Sequence, residues 1–176
     1  MEFEELKIQP VDFKNHLETC IRFREDSFIV SFGSADRFYE EDGKGGERYI
    51  DRLKQKYEQD PESVVHIWHG NEIIGQMELG QFRIDPSRGY VNLYYLVPEQ
   101  RGRGYSASLE KYTEYYMKMK NYKLARLSVS PSNKRAFSFY LKNGWRDLGP
   151  RPGRPEMHFM EKCFSTNDQK QLHGCD

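Results

Sequence analysis

The chain has few cysteines, and none of them is placed to bind a metal. Cys20, Cys163 and Cys175 form no CxxC pair, and no histidine cluster has metal-ligand spacing. This pattern excludes the common zinc motifs and gives no even set of cysteines for a disulfide framework. We therefore expect reduced thiols and no metal.

An excess of charge of one sign is also missing, as is any long hydrophobic run. The 27 Lys and Arg residues equal the 27 Asp and Glu residues, so no global field draws the chain to nucleic acid. No apolar run approaches the ~20 residues that cross a bilayer. The acidic start MEFEELKIQP lacks the basic and apolar parts of a signal peptide. We expect a cytoplasmic protein that binds neither nucleic acid nor a membrane.

The chain does contain enough apolar residues for one core. Of its 176 residues, 37% are hydrophobic and 14% are aromatic, which suits a single domain of this length. The last residues are polar and show no periodicity. We predict one domain over 1–162 and a polar C-terminal tail over 163–176, in a monomer or a homodimer.

Hydrophobic periodicity predicts that helices and strands alternate along the chain. In chain order, the predicted elements are a strand over 5–11, a helix capped by Asp12 that runs to about Ser31, a loop over 40–47, a helix that stops before Pro61, a hairpin with strands over 64–68 and 73–82, a strand over 90–97, a helix with an apolar stripe at Leu109, Tyr112, Tyr116 and Met119, a strand over 124–129, a helix over 132–142, and two closing strands. This order predicts an α/β or α+β sheet with helices on both faces.

The stretch VPEQRGRGYSA over 97–107 follows a predicted strand and leads into a predicted helix. Its glycines, Gly102 and Gly104, allow a sharp turn, and a helix that begins there offers unpaired N–H groups and a positive dipole end to an anion. Arg101 and Arg103 add positive charge. The pattern indicates a phosphate cradle, although a solvent-exposed basic turn would have the same composition.

Two phosphate-binding motifs fit this loop poorly. A P-loop requires a lysine and then a hydroxyl residue after its second glycine, whereas Gly104 is followed by Tyr105 and Ser106. The run over 102–107 matches the dinucleotide fingerprint G-x-G-x-x-G/A, yet no acidic residue follows the next strand, over 124–129, to bind a ribose. The first motif is excluded and the second is disfavoured.

Coenzyme A chemistry fits better, because two separate motifs resemble those of the GCN5-related N-acetyltransferase (GNAT) superfamily. The run RGRGYS over 101–106 looks like the family's Arg/Gln-x-x-Gly-x-Gly/Ala motif, with Ser106 in place of the usual Gly or Ala. The run NKRAFSFYLKNGW over 133–145 is similar to the family's N-x-x-A-x-x-F/L-Y-x-K-x-G-F/W block. The two runs stand in the family's order, separated by one predicted helix and one predicted strand.

The resemblance implies the fold, the co-substrate and the residues that bind it. It implies a mixed, mostly antiparallel central sheet of about six to seven strands, splayed between the strands at 90–97 and 124–129. The implied co-substrate is acetyl-CoA, whose pyrophosphate would bind the N–H groups of the loop and whose pantetheine arm would pair with the preceding strand. The residues implied are Leu96, Val97, Arg101, Gly102, Arg103, Gly104, Tyr105, Ser106 and Asn133. Asn133 would serve equally as a helix cap.

Attack of an amine on the thioester calls for a base, an oxyanion donor and an acid. Tyr140 matches the tyrosine that this family places near the thioester sulfur as general acid. A backbone N–H near Leu96 or Val97 would serve the oxyanion. A general base cannot be identified, because the strand over 90–97 contains no acid. The candidates are Asn92 or Tyr94 holding a water molecule, Glu78, and His66.

The expected activity is transfer of the acetyl group of acetyl-CoA to a primary amine of a small molecule, by direct attack in a ternary complex. Two alternatives stay open: a protein acetyltransferase acting on an N-terminus or a lysine, and a non-catalytic acyl-CoA-binding module. The resemblance places the acceptor beside the segments 32–47 and 150–155. Acidic residues of the first segment favour a cationic amine, whereas Arg151 and Arg154 favour a carboxylate or a phosphate.

Overall fold

The computed structural model describes residues 2–3 and 6–164 of the chain. Within them, the strands are β1 (Glu2–Phe3), β2 (Leu6–Pro10), β3 (Val64–His69), β4 (Glu72–Gln81), β5 (Gly89–Leu96), β6 (Leu124–Val129), β7 (Arg146–Arg151) and β8 (Arg154–Cys163). The helices are α1 (Phe13–Phe32), α2 (Asp36–Asp42), α3 (Glu47–Gln59), α4 (Ser106–Met119) and α5 (Lys134–Lys142). Short 3-10 turns cover Pro61–Ser63 and Pro98–Gln100.

The strands form one sheet in the order β1-β2-β3-β4-β5-β6-β8-β7. The pairs β2–β3, β3–β4, β6–β8 and β7–β8 are antiparallel, whereas β5 and β6 are parallel. This arrangement confirms the predicted mixed, mostly antiparallel sheet. The expected count of six to seven strands is exceeded because the two residues of β1 pair with β2.

The parallel ladder between β5 and β6 is short. It runs from the pair Gly89 and Ala125 to the pair Val91 and Leu127, and in the described part of the chain it stops there, although β5 continues to Leu96. A parallel pair needs a crossover connection, which α4 supplies here. The early end of the ladder is the interruption predicted between these two strands.

The chain divides into two compact units. The first is Met1–Leu79 with Asn92–Tyr112, and the second is Gly80–Val91 with Thr113–Asp176. Strands β4 and β5 and helix α4 each contribute residues to both. The single domain over 1–162 stays a prediction.

The predicted C-terminal tail over 163–176 begins too early. Cys163 still belongs to β8, and Phe164 is buried, with its ring 6.0 Å from that of Trp145. Aromatic packing thus keeps the chain in the fold two residues beyond the predicted boundary. The remaining tail, over 165–176, lies outside the described residues.

Helix α1 begins where its sequence provides a cap. As predicted, the Asp12 carboxylate accepts a hydrogen bond from the Lys14 N–H at 3.0 Å. Gly33 ends the helix with a φ of 84°, a left-handed conformation that glycine adopts without strain. Phe23 and Phe28 are buried on its inner face, and each buried phenylalanine contributes roughly 1.5–3 kcal/mol. These contacts hold α1 within the first unit.

Helix α2 occupies part of the segment that the sequence predicts as a loop over 40–47. Phe38 is fully buried, and its ring lies 5.7 Å from that of Phe28 and 5.8 Å from that of Tyr49. The acidic, glycine-rich composition of 40–47 indicated a loop and gave no sign that Phe38 packs on these rings. The loop prediction is therefore wrong up to Asp42, where α2 ends.

The apolar stripe predicted on α4 is correct in three of its four positions. Leu109, Tyr112 and Tyr116 are buried, whereas Met119 is 38% exposed and Met117 is fully buried instead. Residues on one face of a helix are spaced by three or by four, so the pattern alone did not show which of the two methionines is buried.

The link between the last two strands is shorter than the predicted segment 150–155. Strand β7 continues to Arg151 and β8 begins at Arg154. Only Pro152 and Gly153 form the turn, and Gly153 has a φ of 76°. The prolines had suggested a longer loop, but edge positions of a hairpin tolerate proline.

Candidate active site

The glycine loop joins β5 to α4 through a left-handed conformation at each glycine. Gly102 has a φ of 82° and Gly104 a φ of 88°, values that only glycine adopts readily. Helix α4 then begins at Ser106, and the Ala107 N–H donates to the Gly104 carbonyl at 3.0 Å. The predicted sharp turn into a helix is confirmed.

The start of α4 suits an anion. The first N–H groups of a helix have no acceptors inside it, and the macrodipole of this 14-residue helix adds partial positive charge at the same end. A Cβ atom built on Gly104 would meet nothing within 4 Å, so the space before the loop is open to a ligand. These features fit a pyrophosphate held by backbone N–H groups.

Strand β5 directs its backbone polar groups to two different edges. The Val97 N–H donates to the Ile74 carbonyl next to it in β4, at 2.9 Å. Because successive residues of a strand alternate, the carbonyls of Leu96 and Asn92 face the opposite edge, which we call the outer edge of β5. The prediction that Val97 offers a free N–H is therefore wrong. Of the predicted pair, Leu96 has its polar groups on the outer edge.

Arg101 makes three contacts within the first unit. Its Nε donates to the Leu96 carbonyl at 2.8 Å, and its Nη2 donates to Asp26 Oδ2 at 2.9 Å. The guanidinium also lies over the Tyr95 ring, 5.4 Å from the centroid. Its predicted contact with a phosphate stays a prediction. The Arg103 side chain is exposed.

A chain of buried polar side chains joins α1, α3, β3 and β4. The Tyr49 hydroxyl donates to Glu78 Oε1 at 2.7 Å, and Gln76 Nε2 donates to the Tyr49 oxygen at 2.9 Å. His66 Nε2 lies 3.2 Å from Gln76 Oε1 and 3.6 Å from Cys20 Sγ. All five side chains are buried. Glu78 and His66, two separate candidates for the general base in the sequence, thus belong to one network.

Burial favours the neutral forms of three members of this network. It lowers the pKa of His66 to about 4 from its usual value of 6.5. It raises the pKa of Cys20 to about 12, with a further contribution from the Glu78 charge, and the same two causes raise the pKa of Tyr49. A base with a pKa near 4 accepts protons poorly at neutral pH, so His66 is a weak candidate for the general base.

The second sequence motif lies in the second unit. The Asn133 Oδ1 accepts a hydrogen bond from the Ala136 N–H at 3.2 Å, which confirms its predicted role as the cap of α5. Tyr140 is 8% exposed, and its ring lies 5.5 Å from that of Phe139 and 5.9 Å from that of Trp145. Its assignment as general acid stays a prediction.

The sequence matches one family model over most of its length. Residues 15–145 match the model described as the Acetyltransferase (GNAT) family. The chain belongs to the GNAT family. The resemblance carried by the glycine loop and the second motif is confirmed, and so is the prediction of an acetyltransferase enzyme.

Solved N-acetyltransferase structures share the fold of this GNAT chain. The PaiA N-acetyltransferase of Thermoplasma acidophilum, solved in complex with coenzyme A, is 23% identical, with a TM-score of 0.73 and coverage of 90% of this chain and 98% of that one. A mutant of the SpeG spermidine N-acetyltransferase from Vibrio cholerae is 17% identical, with a TM-score of 0.62 and coverage of 92% and 95%. The ribosomal-protein-S5-alanine acetyltransferase of Vibrio fischeri is 15% identical, with a TM-score of 0.67 and coverage of 94% and 97%. No curated protein matches the sequence.

Among residues 2–3 and 6–164, no group of three or more His, Cys, Asp or Glu side chains is placed to hold a metal ion. None of the helices in that part of the chain combines the length and the apolar character needed to cross a bilayer.

Sequence reasoning missed four residues that contact candidate site residues. They are Arg24, Asp26, Tyr49 and Gln76, and each contacts at least one residue from a distant part of the chain. Asp26, for example, contacts Arg101 from helix α1. The one available signal was the polar pair Gln76 and Glu78 inside an otherwise apolar strand, since buried polar residues require partners.

The buried histidine makes stability depend on pH. Between pH 6.5 and about 4, the unfolded chain protonates His66 while the folded protein does not, so the free energy of unfolding falls as the pH falls. The shift corresponds to about 3 kcal/mol. We expect the substitution His66→Asn to remove most of this loss.

Urea unfolding of the wild type and of His66→Asn at intervals from pH 7 to pH 4 measures this effect. Every other titrating group is common to both proteins and cancels in the difference between them. Parallel curves for the two proteins over this pH range would show that His66 is protonated equally in the folded and unfolded states.

Proposed function

We propose that this GNAT protein transfers the acetyl group of acetyl-CoA to a primary amine of a small molecule, by direct attack in a ternary complex. One observation carries the proposal. Gly102 and Gly104, both left-handed, lead into the start of α4, and a Cβ atom built on Gly104 would meet nothing within 4 Å. Such a site binds a doubly charged pyrophosphate through several charge-assisted hydrogen bonds at once.

The donor is bound by the loop and by the strand that precedes it. Backbone N–H groups over 102–106 hold the pyrophosphate, with Arg103 free to approach the phosphates from its exposed position. The N–H of Leu96, on the outer edge of β5, pairs with the pantetheine arm in the manner of an added strand. A backbone N–H of the same edge, near Leu96, serves the thioester oxyanion.

Tyr140 supplies the proton for the departing sulfur. The amine nitrogen forms a bond to the acetyl carbon, the C–S bond breaks, and the Tyr140 hydroxyl protonates the thiolate. The Tyr140 hydroxyl then regains a proton from solvent, and the proton of the attacking amine leaves by a separate route. The second motif, which the family model covers as far as residue 145, supports this role.

Asn92, Tyr94 and Glu78 remain as candidates for removing the amine proton. Asn92 has an exposed side chain and can hold a water molecule that removes the proton. Glu78 is a stronger base than water, but it is 5% exposed and lies behind the Tyr49 hydroxyl. We propose that Asn92 orders the water and that Glu78 takes up the proton through Tyr49.

Two acidic residues of the segment 32–47 form ion pairs with arginines. Asp42 forms an ion pair with Arg52, and Glu41 is paired with Arg37 at 3.0 Å, so much of the acidic charge in this segment is already neutralised. A small amine that enters partly deprotonated would need no acidic recognition site. The similarity to a spermidine N-acetyltransferase supports a small amine as acceptor.

A protein acceptor is the second candidate. The ribosomal-protein-S5-alanine acetyltransferase matches this chain with a TM-score of 0.67, a value comparable to those of the other neighbours. A peptide with a free N-terminal amine would present the same reacting group as a small amine. The acceptor panel described next therefore includes peptides.

We expect turnover of acetyl-CoA with at least one free amine. The measurement is release of the coenzyme thiol in the presence of polyamines, amino acids, amino sugars, and peptides with a free N-terminus or a lysine. Turnover with small amines at rates well above those with peptides supports the proposal. Turnover confined to peptides would establish the second candidate, and tight coenzyme binding without any turnover would establish the non-catalytic module.

The thiols bear on where the enzyme works. Among the described residues, Cys20 is a buried thiol that forms no disulfide. A reduced thiol suits a reducing compartment. We propose a cytoplasmic location, in agreement with the balanced charge of the chain.

A further inference from the structure

Two arginines bind the outer edge of β5 beyond Val91, the last residue of β5 that the described ladder pairs with β6. Arg24 Nη1 donates to the Asn92 carbonyl at 3.2 Å, and Arg101 Nε donates to the Leu96 carbonyl at 2.8 Å. Both carbonyls face away from β4, as the pairing of Val97 with Ile74 requires. The arginines thus supply hydrogen bonds that a further strand would ordinarily provide.

Such a replacement has a physical reason. A backbone carbonyl that loses its ladder partner and is also removed from water costs about as much as a lost hydrogen bond. A guanidinium is a charged donor, and hydrogen bonds from charged donors are shorter and stronger than neutral ones. It also keeps its charge at every relevant pH, so the support of the edge does not depend on titration.

Asp26 fixes the position of Arg101. Its Oδ2 accepts a hydrogen bond from Arg101 Nη2 at 2.9 Å and another from the Tyr95 hydroxyl at 2.8 Å. Tyr95 is buried, and burial together with the Asp26 carboxylate raises the pKa of its hydroxyl, which therefore remains a donor. The guanidinium is held by its Nε, by its Nη2 and by the Tyr95 ring beneath it.

We propose that Arg101 and Asp26 are positioning residues that hold the outer edge of β5 in place for the pantetheine arm, and that Arg101 is not a phosphate ligand. The inference rests on the proposed function, because the arm is that of acetyl-CoA. We call the set of Asp26, Tyr95, Arg101 and the Leu96 carbonyl the Arg101 bracket. When the bracket is intact, the Leu96 N–H is held on the outer edge of β5, where the pantetheine arm can bind to it.

The geometry explains why Arg101 supports the strand although it belongs to the phosphate motif. Its Nε and Nη2 already donate to the Leu96 carbonyl and to Asp26. A turn of the guanidinium towards a phosphate would take the ion-pair partner away from a partly buried carboxylate, since the two side chains are only 22% and 30% exposed, and unpaired charges in such places are costly. The neighbouring Arg103 is exposed and needs no such movement.

The first test compares a donor that has phosphates with one that lacks them. We expect Arg101→Gln to raise the KM for acetyl-CoA and for acetyl-pantetheine by the same factor, about tenfold to a hundredfold. Because the same edge supplies the proposed oxyanion donor, kcat at saturating donor should fall by a similar factor with both donors. A KM increase for acetyl-CoA alone would identify Arg101 as a phosphate ligand and overturn the proposal.

The substitution Asp26→Asn changes the donor KM in different directions if Arg101 supports the strand and if Arg101 binds phosphate. If Arg101 supports the strand, the loss of Asp26 raises the donor KM as Arg101→Gln does, and the double variant is no worse than either single one. If Arg101 bound phosphate, its release from Asp26 would lower the KM for acetyl-CoA or leave it unchanged. Glu18→Gln is the matched control, because it removes an acid from an exposed position of the same helix.

Hydrogen exchange tests the bracket without any turnover. The Val97 N–H is protected by its bond to Ile74, and we expect Arg101→Gln and Asp26→Asn each to increase its exchange rate at least about tenfold. Glu18→Gln should leave it unchanged. Unchanged exchange in all variants would refute the bracket, whereas altered exchange in a protein without acetyl transfer would refute the proposed function alone.

Discussion

Replacing Gly104 with valine will abolish measurable binding of coenzyme A while leaving a folded protein. Gly104 has a φ of 88°, where a β-branched residue is strongly disfavoured and even alanine costs about 1–2 kcal/mol. A side chain would also project into the open space before the loop, which the pyrophosphate needs. Loss of several charge-assisted hydrogen bonds together corresponds to a fall in affinity of about a hundredfold or more.

Titration calorimetry with coenzyme A measures this loss, and thermal unfolding shows that the variant is folded. The matched control is Gly149→Val. Gly149 has a φ of 84° and also has nothing within 4 Å of a built Cβ atom, but it belongs to β7 and to no predicted site. The control should destabilise the protein by a similar amount and bind coenzyme A normally. Normal binding by the Gly104 variant would place the pyrophosphate elsewhere.

The features that the sequence predicted well are those that depend on neighbouring residues. The caps Asp12 and Asn133 each accept a hydrogen bond from an N–H two or three residues further on, so a short pattern contains the whole interaction. The glycine loop is equally local, because the turn requires left-handed residues at Gly102 and Gly104 and the helix follows directly. Each of these predictions depended on one segment of the chain.

The features that the sequence could not predict depend on contacts between distant segments. Helix α2 forms because Phe38 packs on rings contributed by α1 and α3, and no pattern within α2 shows those rings. The network around Glu78 draws its members from four separate elements. Arg101 was predicted from its motif to contact a phosphate, whereas its observed partner, Asp26, lies on α1.

The error at Val97 has a different origin. A strand alternates its polar groups between two edges, so a prediction that is wrong by one residue selects the wrong edge. The motif located the end of β5 to within one or two residues, which was sufficient to name the strand but insufficient to separate Leu96 from Val97. The hydrogen bond from Val97 to Ile74 decides the question.

Replacing Tyr140 with phenylalanine will lower kcat by about a hundredfold to ten-thousandfold, the range typical of a lost general acid. The ring will stay in place, because its contacts with Phe139 and Trp145 need no hydroxyl. The KM for acetyl-CoA should therefore change little, since donor binding depends on the glycine loop. Steady-state kinetics with the best acceptor of the panel gives both values.

The dependence on the leaving group separates acid catalysis from a structural effect. A thioester of a more acidic thiol needs less protonation as it leaves, so the ratio of wild-type to Tyr140→Phe rates should fall towards one with such a donor. A merely structural defect would lower the rates with both donors alike. Tyr115→Phe is the control, because it removes a tyrosine hydroxyl from a surface position on α4 and should leave kcat unchanged. If Tyr140→Phe keeps the kcat of the wild type, Tyr140 is not the general acid, and water protonates the thiolate.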